Sequence, residues 1–244
     1  MKLLRFCGAF TAVLSILASV ACSDEAPPAE DRVAAGQALF EARALSDSTL
    51  NRYSCATCHD IDAPDPSKKK PGAALAGVTL RPTFWGGQEN DLLRSINACR
   101  RYFMYASADL RANESSAESL YAYLVSLEPG NPEPAPFSVV RNVEILPRGD
   151  EASGQALFTT TCAQCHGTLH EGVGRLRNTV PVLPEDTLAE HLDYSPREQR
   201  LVFIEKTRHG LFLGYGGDMP PFSTEVLSNA ELSDILEALG ATGE

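Results

Sequence analysis

The run Cys162-Ala163-Gln164-Cys165-His166 occurs a second time, with one residue changed, as Cys55-Ala56-Thr57-Cys58-His59. Each copy follows the string Gly-Gln-Ala-Leu-Phe, at residues 36 to 40 and 154 to 158, so the chain is built on an internal repeat of one unit. C-x-x-C-H is the spacing at which two thiols add to the vinyl groups of a haem while the neighbouring imidazole takes its iron. A redox dithiol needs only the C-x-x-C and leaves the following His without a task. The repeat therefore predicts two covalently bound haem c groups. One sits on Cys55 and Cys58 with His59 as iron ligand, the other on Cys162 and Cys165 with His166 as iron ligand.

The remaining cysteines sharpen this assignment. Of seven in the chain, four belong to the motifs, and Cys7, Cys22 and Cys99 are left, so no obvious disulfide pair remains. Cys7 lies in residues 1 to 21, which read as an export signal: Lys2 and Arg5 form a charged start, and residues 6 to 20 are apolar. That run is shorter than the roughly 20 apolar residues a bilayer asks for, so it is read as cleaved rather than as an anchor. Ser19-Val20-Ala21-Cys22 resembles a bacterial lipobox, with Ser19 where that motif usually has Leu. The expectation is a lipid on Cys22 that holds an exported protein to the periplasmic side of a bacterial membrane. Ordinary cleavage nearby, leaving Cys22 as a free thiol, is the alternative. Residues 22 to 30, polar and Pro-rich, read as a flexible tether.

Charge excludes one class of partner. The formal net charge is -11, and loss of residues 1 to 21 removes Lys2 and Arg5, which brings it to -13 before any haem propionate is counted. Nucleic acid is repelled by such a chain, whereas a basic patch on a redox partner protein complements it. The length suits two domains of about 100 residues each, small for an apolar core, so each haem has to serve as part of its own domain's core. The expected division is residues 31 to 127, a Pro-rich linker at 128 to 150, and residues 151 to 244.

Both halves resemble class I cytochrome c domains, and the resemblance implies an all-α fold of two tandem small domains. Asp31 is positioned to cap a first helix carrying Val33, Leu39 and Phe40 to the core. In that family a proline about a dozen residues beyond the haem His offers its carbonyl to Nδ1, and Pro71 stands at that offset from His59. In the second half, Ser195-Pro196-Arg197-Glu198 has the form of a capping box, and Gly210 ends the helix it starts. A Gly-rich loop then leads to Met219-Pro220-Pro221-Phe222 and a last helix through Leu232, Ile235, Leu236 and Leu239. The resemblance makes Met219 the sixth iron ligand there, with a core methionine as the alternative. His170, His191 and His209 lie outside the expected ligand loop.

The first half departs from this pattern. Fourteen residues separate its first helix from Cys55 where the second half has three, an insertion of 11 whose role the sequence does not disclose. Its last two helices, expected at about 91 to 103 and 113 to 127, leave little room for a methionine loop. On the earlier helix, Leu92, Ile96, Cys99 and Phe103 fall on one stripe. Met104 lies five residues past Cys99, roughly 140° away on a continuing helix, so the two share one iron only if the helix has ended. Ile96-Asn97-Ala98-Cys99 with Met104 is similar to the corresponding segment of thiosulfate dehydrogenases and related dihaem subunits of sulfur-oxidising complexes. That resemblance implies Cys99 as a thiolate ligand beside His59. Met104 as ligand and Cys99 as a buried small hydrophobe stay open.

From residue 81 to 111 there are five arginines and three acids, a local excess of positive charge. Arg100 and Arg101 flank Cys99, where they are placed to lower its pKa and to hold a small sulfur anion. Pairing with haem propionates is the competing use, and Trp85 is a further propionate donor or a core residue. Two functions follow: an electron-transfer dihaem cytochrome, or an oxidoreductase acting on thiosulfate or a related anion through Cys99, Arg100 and Arg101, with electrons leaving by the second haem.

Overall fold

The computed structural model describes residues 29–127, 133–138, 140–210 and 218–243. The export signal, Cys22 and nearly all of the tether lie outside the described residues, as do positions 128–132 and 139 of the linker and the Gly-rich loop at 211–217.

Nine α-helices run in order among the described residues: α1 (Ala29–Glu41), α2 (Cys55–Cys58), α3 (Leu92–Tyr102), α4 (Ser115–Ser126), α5 (Glu151–Thr161), α6 (Ala163–His166), α7 (Glu185–Ala189), α8 (Pro196–His209) and α9 (Asn229–Ala238). No strand occurs among them, only an isolated bridge between Phe84 and Glu89, so the fold is all-α. Starts are fixed by side chains that satisfy the orphaned amides of a first turn, each worth about 1 kcal/mol. Asp91 accepts from Arg94 N–H and Asp150 from Ser153 N–H, while Ser195 with Glu198 and Ser228 with Glu231 form complete capping boxes. Asp31 does not cap α1 as expected. The helix starts two residues earlier, which puts Asp31 in its first turn, where a carboxylate favours the positive end of the helix dipole.

The repeated pentapeptide now has a structural meaning. In the first half α1 packs on α4, and in the second α5 packs on α9. The Gly of each string stands where these pairs cross: a methyl on Gly36 would strike the Ser119 carbonyl and Tyr123 Cβ, and one on Gly154 the Asp234 carbonyl and Ala238 Cβ. The Phe of each string, Phe40 at 1% exposure and Phe158 at 2%, is driven into the core beneath that crossing.

Two apolar cores result. Phe40, Tyr53, Phe103, Met104, Leu120 and Leu124 form the first, and Phe158, Phe203, Ile204, Leu232, Leu236 and Leu239 belong to the second. They are not independent, because Cys165 and Leu176 of the second half pack against the first core. The described part of residues 133–150 carries no helix and touches both: Phe137 meets Trp85 edge-on at 6.2 Å, and Leu146 is buried in the second core. Arg200 fastens that end. Fully buried, it donates to the Leu146 carbonyl at 3.2 Å, to that of Pro147 at 2.8 Å, to Ala241 O and to Glu237 at 3.1 Å.

Candidate haem-binding site

Each core encloses a cavity with one C-x-x-C-H motif in its wall. Cys55, Cys58 and His59 line the first, and Cys162, Cys165 and His166 the second. Helix α2 carries both thiols of the first motif a turn apart, and in the second Cys162 stands at the junction of α5 and α6 with Cys165 inside α6.

The orientation of both imidazoles is set from behind. His59 Nδ1 donates to the Ala73 carbonyl at 2.7 Å, and His166 Nδ1 to the Pro181 carbonyl at 2.9 Å. A carbonyl can only accept, so the proton sits on Nδ1 and Nε2 keeps its lone pair for a metal. Burial holds both imidazoles below the usual His range, in the neutral form that ligation requires. Pro71 is therefore not the acceptor expected from its offset. Gly72 N–H donates to the Cys58 carbonyl at 2.8 Å, folding the turn back on the motif, and it is Ala73 that reaches the ring. A methyl on Gly72 would come within 2.5 Å of the His59 ring. Ala73 and Pro181 stand 14 and 15 residues beyond their histidines, so the acceptor keeps nearly the same place in both halves while its residue type changes.

The first cavity brings Cys99, Arg100 and Met104 together with His59. Helix α3 ends at Tyr102, so the angular argument separating Cys99 from Met104 does not apply, and both sulfurs belong to one lining. The 11-residue insertion explains the placement of Met104: Ser46 O–H donates to the Met104 carbonyl at 2.6 Å, and the Ser107 hydroxyl bonds Asp47. Leu45 and Tyr53, also from this stretch, fill the wall.

The arginines do not do what their position beside Cys99 suggested. Arg101 lies outside the cavity lining and pairs with Asp109 at 2.7 Å on the surface. Arg100 lines the cavity, but its guanidinium is committed to the Leu45 carbonyl at 2.8 Å, the Ala108 carbonyl at 2.9 Å and Asn97 Oδ1 at 3.0 Å. Neither lowers the Cys99 pKa. Burial pushes that thiol up to about 12, and a coordinated metal would have to supply the charge that makes it a thiolate. Arg81, which also lines the first cavity, gives its Nη2 to the Ala74 and Ala76 carbonyls, while its buried Nε has no hydrogen-bond partner among the described residues.

In the second cavity Met219 joins His166. The backbone returning from Met219 is pinned by Phe222 N–H to the Thr207 carbonyl at 2.8 Å and by Arg208, which donates to the Phe222 and Leu227 carbonyls and to Asn229. Burial brings the Arg208 pKa down to about 10. Sequence reading missed this residue, since nothing in its neighbours announces a buried guanidinium. His170 pairs with Glu185, His191 bonds the Thr187 carbonyl, and neither they nor His209 line the cavity.

The donor sets fit a covalently held haem. Each cavity offers two thiols, an oriented imidazole and a further sulfur in an apolar wall. The Thr161 and Thr187 hydroxyls and the Arg177 Nε line the second cavity, buried and without hydrogen-bond partners among the described residues, and so are available to polar edge groups.

Tyr53, Cys58, Pro71 and Pro220 line both cavities, so a single layer of side chains separates them. Lys69 clamps this wall. Its N–H donates to the Thr160 carbonyl at 3.0 Å, its carbonyl accepts from Gln164 at 3.0 Å, and its ammonium reaches Glu231 at 2.5 Å and the Val226 carbonyl at 3.2 Å.

No curated protein matches this chain. Among solved structures, a thiosulfate dehydrogenase (TsdBA) from Marichromatium purpuratum in its "as isolated" form is similar at 19% identity and a TM-score of 0.43, over 87% of this chain and 46% of that one. This chain thus spans less than half the length of that structure. Residues 149–237 match the family model described as cytochrome c oxidase, cbb3-type, subunit III, and this stretch holds Cys162, Cys165, His166 and Met219. The second half of the chain is accordingly similar to a c-type cytochrome domain, whose chemistry is haem-based electron transfer.

Proposed function

We propose that this chain is an exported dihaem c-type cytochrome that moves electrons between a haem on Cys55, Cys58 and His59 and a second on Cys162, Cys165 and His166. The observation that carries the reading is the shared wall: two cavities, each with a complete C-x-x-C-H motif, divided by Tyr53, Cys58, Pro71 and Pro220. When bound, haem supplies one-electron chemistry at iron. The chain's own residues do the rest. His59 and His166 are oriented by Ala73 and Pro181, Met219 completes the second ligand set, Cys99 or Met104 the first, and the apolar linings exclude water and so tune the potentials. Lys69 keeps the halves in register. A redox protein with a basic docking face is the partner that a net charge of -11 favours, and a lipid on Cys22 would hold the protein at a bacterial membrane on the periplasmic side. The test is intact-mass measurement of the purified protein with redox titration. Two haem additions that resist acid-acetone extraction, and two one-electron waves, are expected; a single addition refutes the proposal.

A second reading has one observation in its favour, the presence of Cys99 in the cavity of His59. On it, the first cavity would take a thiosulfate-like anion beside Cys99, and the haems, when bound, would supply the one-electron chemistry that carries its electrons away. The commitment of Arg100 to carbonyls and the surface position of Arg101 leave that anion without the guanidinium clamp first expected, so electron transfer alone is the better-supported function. Reduction of the haems by thiosulfate would reverse this ranking.

A further inference from the structure

We propose that Arg177 is a positioning residue that couples the distal-ligand segments of the two haems, an inference that rests on the dihaem function proposed above. Arg177 lines the second cavity, and its guanidinium forms an ion pair with Asp218, the residue immediately before Met219. The same group reaches across to the first half. Its Nη2 lies 3.4 Å from the Tyr105 hydroxyl, and its carbon sits 5.9 Å from the centroid of the Tyr105 ring. Tyr105 immediately follows Met104, which lines the first cavity. One cation therefore touches the chain on both sides, each time a single residue away from a sulfur in a haem-cavity lining.

Nη2 makes both polar contacts while the guanidinium carbon lies over the Tyr105 ring, a combination that a planar, delocalised guanidinium supports better than a compact, strongly hydrated ammonium. The ion pair is largely withdrawn from water, at 18% and 29% side-chain exposure for Arg177 and Asp218, so screening weakens it less than a surface pair. Tyr105 adopts a φ of +56°, which bulky side chains rarely take, so its backbone is held there by what surrounds it, and Arg177 is part of that hold. A displacement of the Met219 segment is thus transmitted to the Met104 segment through side chains, without passing through either haem. The sign of the charge effect is also fixed. Arg177→Ala removes a cation from the second cavity and leaves Asp218 unpaired, and both changes favour ferric iron.

The experiment uses the holoprotein and reads both haems at once, by redox titration and by the ferric low-spin EPR signals. The signal of the first haem is identified as the one that survives Met219→Ala. In Arg177→Ala the midpoint potential that Met219→Ala lowers should fall and the EPR signal of the first haem should shift. Arg177→Lys should restore the potential, because the charge returns, but not the EPR signal, because the planar guanidinium does not. Tyr105→Leu reads the coupling from the other end and should weaken the far-red methionine-to-iron band of the second haem; it decides the matter if Arg177→Ala does not fold. Variants that each alter only the haem of their own half would overturn the coupling. A wild type with one haem would instead defeat the dihaem reading, before any variant is compared.

Discussion

Arg200 offers the sharpest test of how the segment at Leu146 and Pro147 is held to the second core. It is 0% exposed and gives hydrogen bonds to Glu237 and to the carbonyls of Leu146, Pro147 and Ala241. Arg200→Met keeps the aliphatic stem and removes every donor. Breaking a buried ion pair by deleting one partner costs about 3–5 kcal/mol. Here Glu237 retains Arg148 at 2.6 Å, which lowers the electrostatic loss, while three carbonyls are stranded at about 1–3 kcal/mol for each that water cannot reach. A net loss of about 4 kcal/mol is expected, a large share of the roughly 5–15 kcal/mol that a folded domain possesses. At about 2–4 °C per kcal/mol for a chain of this size, Tm should fall by roughly 8–16 °C.

The assay is thermal unfolding of the holoprotein, followed by far-ultraviolet circular dichroism at several pH values. Burial pushes the Glu237 pKa up, but hydrogen bonds and charge from Arg148 and Arg200 outweigh it and hold the carboxyl below its usual range. A depressed carboxylate stabilises the fold above its unfolded pKa, and that contribution is lost as pH falls through the folded value. The gap between wild type and Arg200→Met should therefore be full at neutral pH and narrow in acid. A variant within about 1 kcal/mol of wild type at neutral pH would refute the reasoning, because it would mean that this segment is held by Leu146 packing and not by the guanidinium.

Further expectations concern the cavities and the helix crossings. Met219→Ala should lower one midpoint potential and abolish the far-red methionine-to-iron band, since a thioether favours ferrous iron; survival of the band would assign it to Met104. Cys99→Ala and Met104→Ala compete for the first iron, and resonance spectra of the ferric protein should change in only one of them, with loss of a thiolate signature marking Cys99. Gly154→Val should destabilise the protein by several kcal/mol, about 3 or more, because α5 cannot withdraw from the Asp234 carbonyl without opening the second core; an unchanged Tm would show that the crossing is looser than described.

Legibility followed the chemistry. Two runs of the same five-residue form single out Cys55, Cys58, His59, Cys162, Cys165 and His166 in the sequence, and the structure puts each run in a cavity lining; Ser195 with Glu198 likewise marked the start of α8 locally. Gly36 and Gly154 were visible only as part of a repeated string, because the partners that make glycine necessary, Ser119 and Asp234, lie some 80 residues further on. Arg100 was misread: a cation next to a cysteine suggests electrostatics on the thiol, yet the guanidinium turns to the carbonyls of Leu45 and Ala108, which no spacing rule predicts. Pro71 was misread by counting from a single family landmark when the turn at Gly72 shifts the acceptor by two residues.

The insertion before Cys55 makes the two repeats unequal in kind. Gly36 and Gly154 describe copies of one module, each able to cross its terminal helices in the same way. Tyr53, from the longer stretch before Cys55, lines both cavities at once, and from the same stretch Leu45 lines the first while Ser46 holds the Met104 carbonyl. The modules have therefore lost interchangeability. A protein made of two second halves would lack Tyr53 and Pro71 from the wall between the cavities, and one made of two first halves would lack Pro220.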